Sequence, residues 1–480
     1  MARQPNIIIL ISDQQRTDTM ACYGNDWIQS PHMNALSERS FVFENTYVTQ
    51  AVCTPARGSL MTGLYPHSHG CTVNNIPLRE ETKSIAEMLP DTYRKAHFGK
   101  WHLGEDAFCQ HGFDEWASTE DGRKPRYTTP NPPFSTYHQW LVELGYVPQG
   151  NLANGEKHFA PPQRATLPPE HQMGAFVANC SDKFIRENVD QPWLLVFSTF
   201  EPHPPFTGPY DGLYDPDEIP LGPAFMKHPE GHSRFNRVRS EYYPIAKKNG
   251  NTVVEDLSTE AGYKKQRAQY YGNVKIIDDA VGKLVQALEE TGQMDNTIFA
   301  CTSDHGDMAG DHRMWEKRAF YEESARVPFL LSVPWLTTTQ KRIGGVFGQA
   351  DLIPTLLDLA DTPIDDQCQG ESITDALTGD RDLTEHTAFM EWNGLGDRNL
   401  GSPEINLMAT LPWRTAITGD RWKLNLCAGD QCELFDLNTD PYEENNLFDL
   451  PEHRDRIRDM AAKIRVWQHE TNDTAPLPSV

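Results

Sequence analysis

The sequence predicts an α/β protein. A large doubly wound mixed β-sheet flanked by helices is expected over residues 1–380, and a small C-terminal α+β domain with a short antiparallel sheet over residues 385–480. Three observations carry this: continuous apolar runs that stop at polar clusters, a helical period between them, and a change to short turn-linked strands in the last hundred residues.

Asn6 to Ser12 (NIIILIS) is an isoleucine-rich run without alternation, the pattern of a strand buried on both faces of a sheet. Polar chemistry begins at Asp13. The same order recurs at Pro192 to Thr199 (PWLLVFST), followed by FEPHPPF, and at Thr297 to Thr302 (TIFACT), followed by SDHGD. Ligands of open α/β sheets gather beyond the carboxyl ends of such strands. A further strand is expected around Tyr93 to Phe98. Tyr270, Val274, Ile277, Val281, Leu284 and Leu288 fall at spacings of four and three, which makes one face of a helix. Gly122 to Pro169 is rich in proline and aromatics without a sustained period, and reads as long irregular loops of the kind that cover sites.

Ala350 to Ala360 (ADLIPTLLDLA) reads as a helix. Trp413 to Thr418 and Arg421 to Cys427, separated by GD, read as a hairpin, with Glu433 to Leu437 as a further strand. Pro451 opens a terminal helix with Ile457, Met460, Ile464 and Trp467 on one face.

At 480 residues, with 38% hydrophobic and 23% charged residues, the chain can bury a large core without disulfide or metal staples. Its net charge of −25 argues against a nucleic-acid or anionic-membrane surface, so an anionic substrate has to meet local cations. Nine cysteines without a repeated spacing describe neither a disulfide framework nor a zinc finger. Cys427 and Cys432 read as buried thiols, or as a disulfide where the compartment allows one. The stretch Ile7 to Ile11 is too short for a signal-peptide core or a membrane span. The expected location is the cytoplasm as written, or the periplasm or exterior if a leader has been removed.

The strongest local signal is Cys53 to Gly63, CTPARGSLMTG, a C-x-P-x-R pattern extended by small residues and leucine to a closing T-G. This segment resembles the sulfatase signature, in which a formylglycine-generating enzyme oxidises the cysteine to formylglycine (3-oxoalanine). The resemblance implies the alkaline-phosphatase-like fold and a catalytic role for Cys53 and Arg57. An aldehyde hydrate offers two hydroxyls on one carbon: one attacks sulfur, and the other, once deprotonated, expels sulfate and restores the aldehyde. Without the resemblance, Cys53 is a packing thiol in a tight turn.

Asp13 and Gln14 follow the first strand, and Asp304 and His305 follow TIFACT. Carboxylate and amide oxygens suit a hard divalent cation. The resemblance implies one such ion, with Ca²⁺ expected and Mg²⁺ or Mn²⁺ as alternatives, held by Asp13, Gln14, Asp304, His305 and position 53 itself. Family members usually read Asp, Asp, Asp, Asn at the first four slots. The Gln14 and His305 departures are similar to phosphonate monoester hydrolases and to a subset of bacterial sulfatases, and a histidine nitrogen strengthens the case for Mn²⁺.

Gly99 to Gly104 (GKWHLG) is similar to the family segment that supplies a sulfate-binding lysine and a histidine on the formylglycine hydroxyl, here Lys100 and His102. Imidazole titrates near neutral pH, which suits His102 as the base. The same resemblance assigns His203, in EPHPPF, and Lys317, in HRMWEK, to sulfate and leaving-group oxygens, with His203 as a general acid. His67, His69 and His312 are substrate-contact candidates for which loop packing is the alternative.

The expected function is hydrolysis of sulfate monoesters, with a sulfated saccharide favoured over a small aryl sulfate. The aromatic loops between Gly122 and Pro169, and EWNGLGDRN from Glu391, suit an open sugar cleft. Two alternatives stand beside it: a phosphonate monoester or phosphodiester hydrolase with the same modified cysteine, and an inactive sulfated-glycan-binding protein on the same fold.

Overall fold

The computed structural model describes residues 4–121, 133–152, 155–246, 255–394 and 402–480. Eight strands form the main sheet: β1 (Asn6–Ser12), β2 (Phe41–Phe43), β3 (Arg94–Gly99), β4 (Glu115–Ser118), β5 (Trp193–Ser198), β6 (Thr297–Ser303), β7 (Phe329–Ser332) and β8 (Lys341–Ile343). Their spatial order is β8-β2-β7-β6-β1-β5-β3-β4. Neighbours run parallel except around β7, which is antiparallel to both β2 and β6. The sheet is therefore mixed, as expected.

Every residue of β1 is buried, and its side chains serve two layers. Ile7, Ile9 and Ile11 pack with helices α1 (Cys53–Thr62) and α4 (Leu352–Leu359). Ile8 and Leu10 pack on the opposite side with α2 (Met173–Glu187) and α3 (Glu260–Glu290). Burying each such side chain contributes roughly 1.5–3 kcal/mol, so a strand read as buried on both faces anchors the whole domain.

A second, antiparallel sheet follows: β9 (Thr387–Trp392), β10 (Trp413–Thr418), β11 (Trp422–Leu426) and β12 (Glu433–Asp436), adjacent in that order. One face packs Ala416, Leu424, Leu426 and Leu434 against Ile457, Met460, Ile464 and Trp467 of α5 (Arg454–Thr471). The other face places Ile417 and Phe435 in one core with Tyr47, Val327 and Val346. Lys423 of β11, wholly buried, donates to Glu322 of the short helix Glu322–Ala325 at 2.6 Å and to Glu443 at 2.9 Å, tying the second sheet to the segment that leads into β7.

The sequence reading differs from the structure in several places. Strands β2, β4, β7, β8 and β9 have no counterpart in it. Within 122–169, the described part contains the helix Thr136–Glu143, capped by Ser135, and a two-stranded pairing of Gly150–Asn151 with Lys157–His158. Residues 122–132 and 153–154 of that stretch, and the LGDRN part of EWNGLGDRN, lie outside the described residues. Cys427 and Cys432 are buried free thiols. Among the described residues no helix is long and apolar enough to cross a membrane.

Candidate active site and cation cage

Sheet register decides where the polar residues emerge. Ile11 and Gly99 both align with Ser198, and Ser12 aligns with Ser303. Asp13, Lys100, Thr199 and Asp304 therefore leave the sheet side by side at its carboxyl edge. Backbone bonds prolong the ladder there: Asp304 N–H donates to Ser12 O at 3.0 Å and Lys100 N–H to Ser198 O at 2.9 Å. Gly99 makes the second approach possible, because its φ is +114° and a Cβ would lie 1.8 Å from the Ser198 carbonyl oxygen.

Cys53 is the first residue of α1, and Asn74 Oδ1 accepts the following N–H, that of Thr54, at 3.0 Å. The helix start favours negative charge at this point. Gly58, one turn on, admits the His69 ring, which a Cβ would approach to 2.4 Å. The buried Cys53 sulfur faces His305 Nε2 at 3.2 Å and Asp13 Oδ1 at 3.9 Å.

One ligand atom from each of Asp13, Cys53, Asp304 and His305 lies within 4.8 Å of the others, and all four residues are buried. Arg57 braces this group from behind. Its Nε donates to Asp304 at 2.9 Å, one Nη to Asp13 at 3.0 Å, and the other to Ser198 Oγ at 2.7 Å and Lys100 O at 3.1 Å. The Nδ1 of His305 lies 2.9 Å from the Gly306 carbonyl, so it carries a proton and leaves Nε2 turned to the cluster.

Gln14 stands at φ +75°, a conformation a non-glycine residue holds only when its surroundings fix it. Its backbone N–H donates to Asp304 Oδ1 at 3.0 Å, and its carbonyl accepts from Tyr270 at 2.8 Å. Its side-chain oxygen accepts from Lys317 Nζ at 2.6 Å, while its amide nitrogen donates to Asp307.

Lys100 Nζ lies 2.6 Å from Asp13 and 4.8 Å from the centroid of the Phe200 ring. His102, at φ +58°, is held by Asp106 on its backbone N–H at 2.8 Å and by Asn75 Oδ1 on Nε2 at 3.1 Å. His203 is half-buried at the mouth, its Nδ1 2.9 Å from the Pro204 carbonyl and its ring 4.7 Å from that of Phe200. The loop carrying Lys317 takes left-handed φ at both Glu316 and Arg318.

These charges act on one another. Burial opposes ionisation of Cys53, but Lys317, Lys100 and His305 outweigh it and hold the thiol well below its usual range. Burial and the Cys53 thiolate push Asp13 up, and Lys100, His203 and Arg57 reverse this and hold it low. Burial, then Asp13, pushes Asp304 up. Burial lowers His305, but Asp304 and Cys53 together raise it toward imidazolium. Two carboxylates, an imidazole nitrogen and a sulfur with one ligand atom each within 4.8 Å of the others form a buried donor set that fits a divalent cation.

All the sequence-derived site residues thus lie around one centre, with Arg57 behind the carboxylates. His67, His69 and His312 are each engaged within the fold: His67 Nδ1 with Glu391 at 2.5 Å, His69 with Ser59 at 3.4 Å, and His312 stacked on Tyr321 with centroids 3.8 Å apart. The sequence reading missed Ser198, Asp307, Asn75 and Phe200. Asp307 sits in the SDHGD segment with Asp304 and His305; the others carry no local signal and become neighbours only through the fold.

Residues 5–362 match the family described as Sulfatase, and residues 310–470 match the description N-sulphoglucosamine sulphohydrolase, C-terminal. The chain is 28% identical to an arylsulfatase of Clostridium perfringens, over 97% of this chain and 95% of that protein. It is 25% identical to an N-acetylglucosamine-6-O-sulfatase of Bacteroides thetaiotaomicron, over 99% and 88% respectively. Its fold is also that of a phosphonate monoester hydrolase from Silicibacter pomeroyi, with TM-score 0.78, 22% identity, and 98% and 96% of the two chains covered.

Proposed function

Because the chain belongs to the sulfatase family, we propose that it removes sulfate from a sulfated saccharide through a formylglycine made from Cys53. The observation that carries this reading is the placement of the Cys53 sulfur, 3.2 Å from His305 Nε2 within a buried two-carboxylate cluster. The sulfur stands where an oxygen of the modified residue would stand. A divalent cation held by Asp13, Gln14, Asp304, His305 and position 53 would supply positive charge against the sulfuryl oxygens and favour an ionised nucleophile.

The chain's own residues do the rest. Arg57 fixes the two carboxylates so that neither rotates away from the nucleophile. Lys100 and Lys317 supply compact charges for a tetrahedral anion. One hydroxyl of the hydrated aldehyde attacks sulfur as the bond to the alcohol breaks, and His203 is suited to protonating the departing oxygen. The second hydroxyl gives its proton to His102, the aldehyde carbonyl re-forms, and sulfate leaves.

A saccharide is supported by the name of the Bacteroides relative and by the match to the sulphohydrolase C-terminal description. Gln14 and His305 are what favour the competing phosphonate monoester hydrolase reading. Coexpression with a formylglycine-generating enzyme, mass spectrometry of the peptide containing residue 53, and chromatography of sulfated oligosaccharides after incubation test the proposal. Conversion to the aldehyde with release of sulfate supports it. Full conversion with every saccharide left sulfated, while choline sulfate or another small alkyl sulfate is turned over, overturns the saccharide assignment.

A further inference from the structure

The mouth of the site holds a cation that the reaction as described does not use. Arg164 ends the short helix Pro161–Arg164 and is half-buried. Its guanidinium carbon lies 5.4 Å from the centroid of the Phe200 ring, the same ring that Lys100 approaches to 4.8 Å and His203 to 4.7 Å. Lys100 and Arg164 are therefore separated by no more than the two centroid distances taken together.

Other buried arginines around this edge of the sheet are paired with carboxylates. Arg57 holds Asp13 and Asp304, Arg16 holds Asp18 and Asp311, and Arg267 reaches Asp311. Arg164 has no such partner among the described residues. Its one side-chain hydrogen bond runs from Nη1 to the thioether sulfur of Met173 at 3.5 Å, a weak acceptor. The acids nearby are engaged elsewhere: Asp121 accepts from Ser135 Oγ at 2.9 Å and pairs with His138 at 3.2 Å, and Glu201 accepts from Thr199. Burial accordingly pulls the Arg164 guanidinium down from its usual range, and Tyr137, Glu120, Asp121 and Glu201 do not make up the difference.

Stacking on Phe200 accounts for the side chain's position but leaves its planar fork of donors largely unused. A carboxylate or sulfate oxygen pair matches that fork in geometry and charge. In a chain of net charge −25, a cation left without an acid beside an anion-binding centre is an exception that calls for an anionic ligand.

We propose that Arg164 is a specificity-determining residue that receives a second anionic group of the substrate, so that the preferred substrate is a saccharide bearing a carboxylate or second sulfate close to the ester that is cleaved. This rests on the sulfatase reading for the first anion, which Lys100 and Lys317 receive. Phe200 sets the spacing between the two anion positions.

The test compares binding of glucosamine 6-sulfate with binding of glucosamine carrying both N- and 6-O-sulfates, by calorimetry on the full-length Cys53→Ala protein with Ca²⁺, which binds without turnover. The expected result is a preference of about tenfold or more for the disulfated sugar. Arg164→Ala should collapse that ratio toward one, and Arg164→Lys should retain part of it. A wild-type-like ratio in Arg164→Ala overturns the proposal. Should Arg164→Ala fail to fold, absence of any preference in the Arg164-containing protein overturns it equally. Turnover of 4-nitrophenyl sulfate by the matured enzyme is followed separately, so that failure of the sulfatase reading shows as no sulfate release with the binding ratio still measurable.

Discussion

The Gln14 side-chain amide is locked in one orientation, because Lys317 donates to its oxygen at 2.6 Å while Asp307 accepts from its nitrogen. Asp307 is itself fixed by the backbone N–H groups of Ala309, at 2.6 Å, and Glu316, at 3.2 Å. An amide alone could present either end to a cation; this clamp presents oxygen.

Asp307→Ala should therefore weaken divalent-cation binding by about ten- to a hundredfold, the usual cost of losing an outer partner of a metal ligand. Calorimetric titration of Ca²⁺ and Mn²⁺ into the variant measures it. Unchanged affinity would mean that Gln14 needs no clamp or is no ligand.

Arg57 neutralises two wholly buried carboxylates. Arg57→Met should destabilise the cation-free protein by about 3–5 kcal/mol, because it leaves the buried Asp304 carboxylate without its arginine and Asp13 to Lys100 alone. Added divalent cation should restore part of the loss. Chemical denaturation with and without Ca²⁺ checks both halves, and a variant as stable as the parent in chelator removes Arg57 from the account of the cage.

His386 gives a stability prediction away from the site. Its two nitrogens each lie 2.9 Å from a carboxylate, Asp351 and Glu371. Burial opposes its charge, but the two acids win and raise it to about 10. A folded value above the unfolded one of 6.5 stabilises the fold fully below about pH 6.5, and the gain fades as pH rises toward about 10. His386→Gln should cost of order 2–4 kcal/mol near pH 6, and far less near pH 10. A cost independent of pH in urea melts would show that the pair is not ionised as described.

The long buried strands and the helices with a clear apolar stripe were legible in the sequence, whereas the short strands β2 and β7, equally buried, were too short to show a pattern. Asn6–Ser12 was readable to the residue because a strand covered on both faces has no polar position to blur its ends. Strand β9 was not, since it is two-sided: Ala388, Met390 and Trp392 enter the core while Thr387 and Phe389 are only half-buried. The helix Thr136–Glu143 hid in a proline-rich stretch, although Ser135 before Tyr137 and Leu141 was an available start signal. In the site, Asp13 and Asp304 were found because they follow legible strands, and Cys53, Lys100, His102, His203 and Lys317 through the motifs of the resemblance, while Ser198 at the end of β5 was passed over. Arg164 was not found, because its meaning comes from Phe200, thirty-six positions away and with no shared pattern.

The most direct test of the central claim is kcat/KM for 4-nitrophenyl sulfate and 4-nitrophenyl phenylphosphonate, measured on enzyme matured with a formylglycine-generating partner, with Cys53→Ala in parallel. The account predicts that sulfate turnover dominates and is lost in the variant. Dominant phosphonate turnover would contradict it and make Gln14 and His305 the marks of a phosphonate hydrolase, and sulfate turnover that survives in Cys53→Ala would remove the nucleophile from the mechanism.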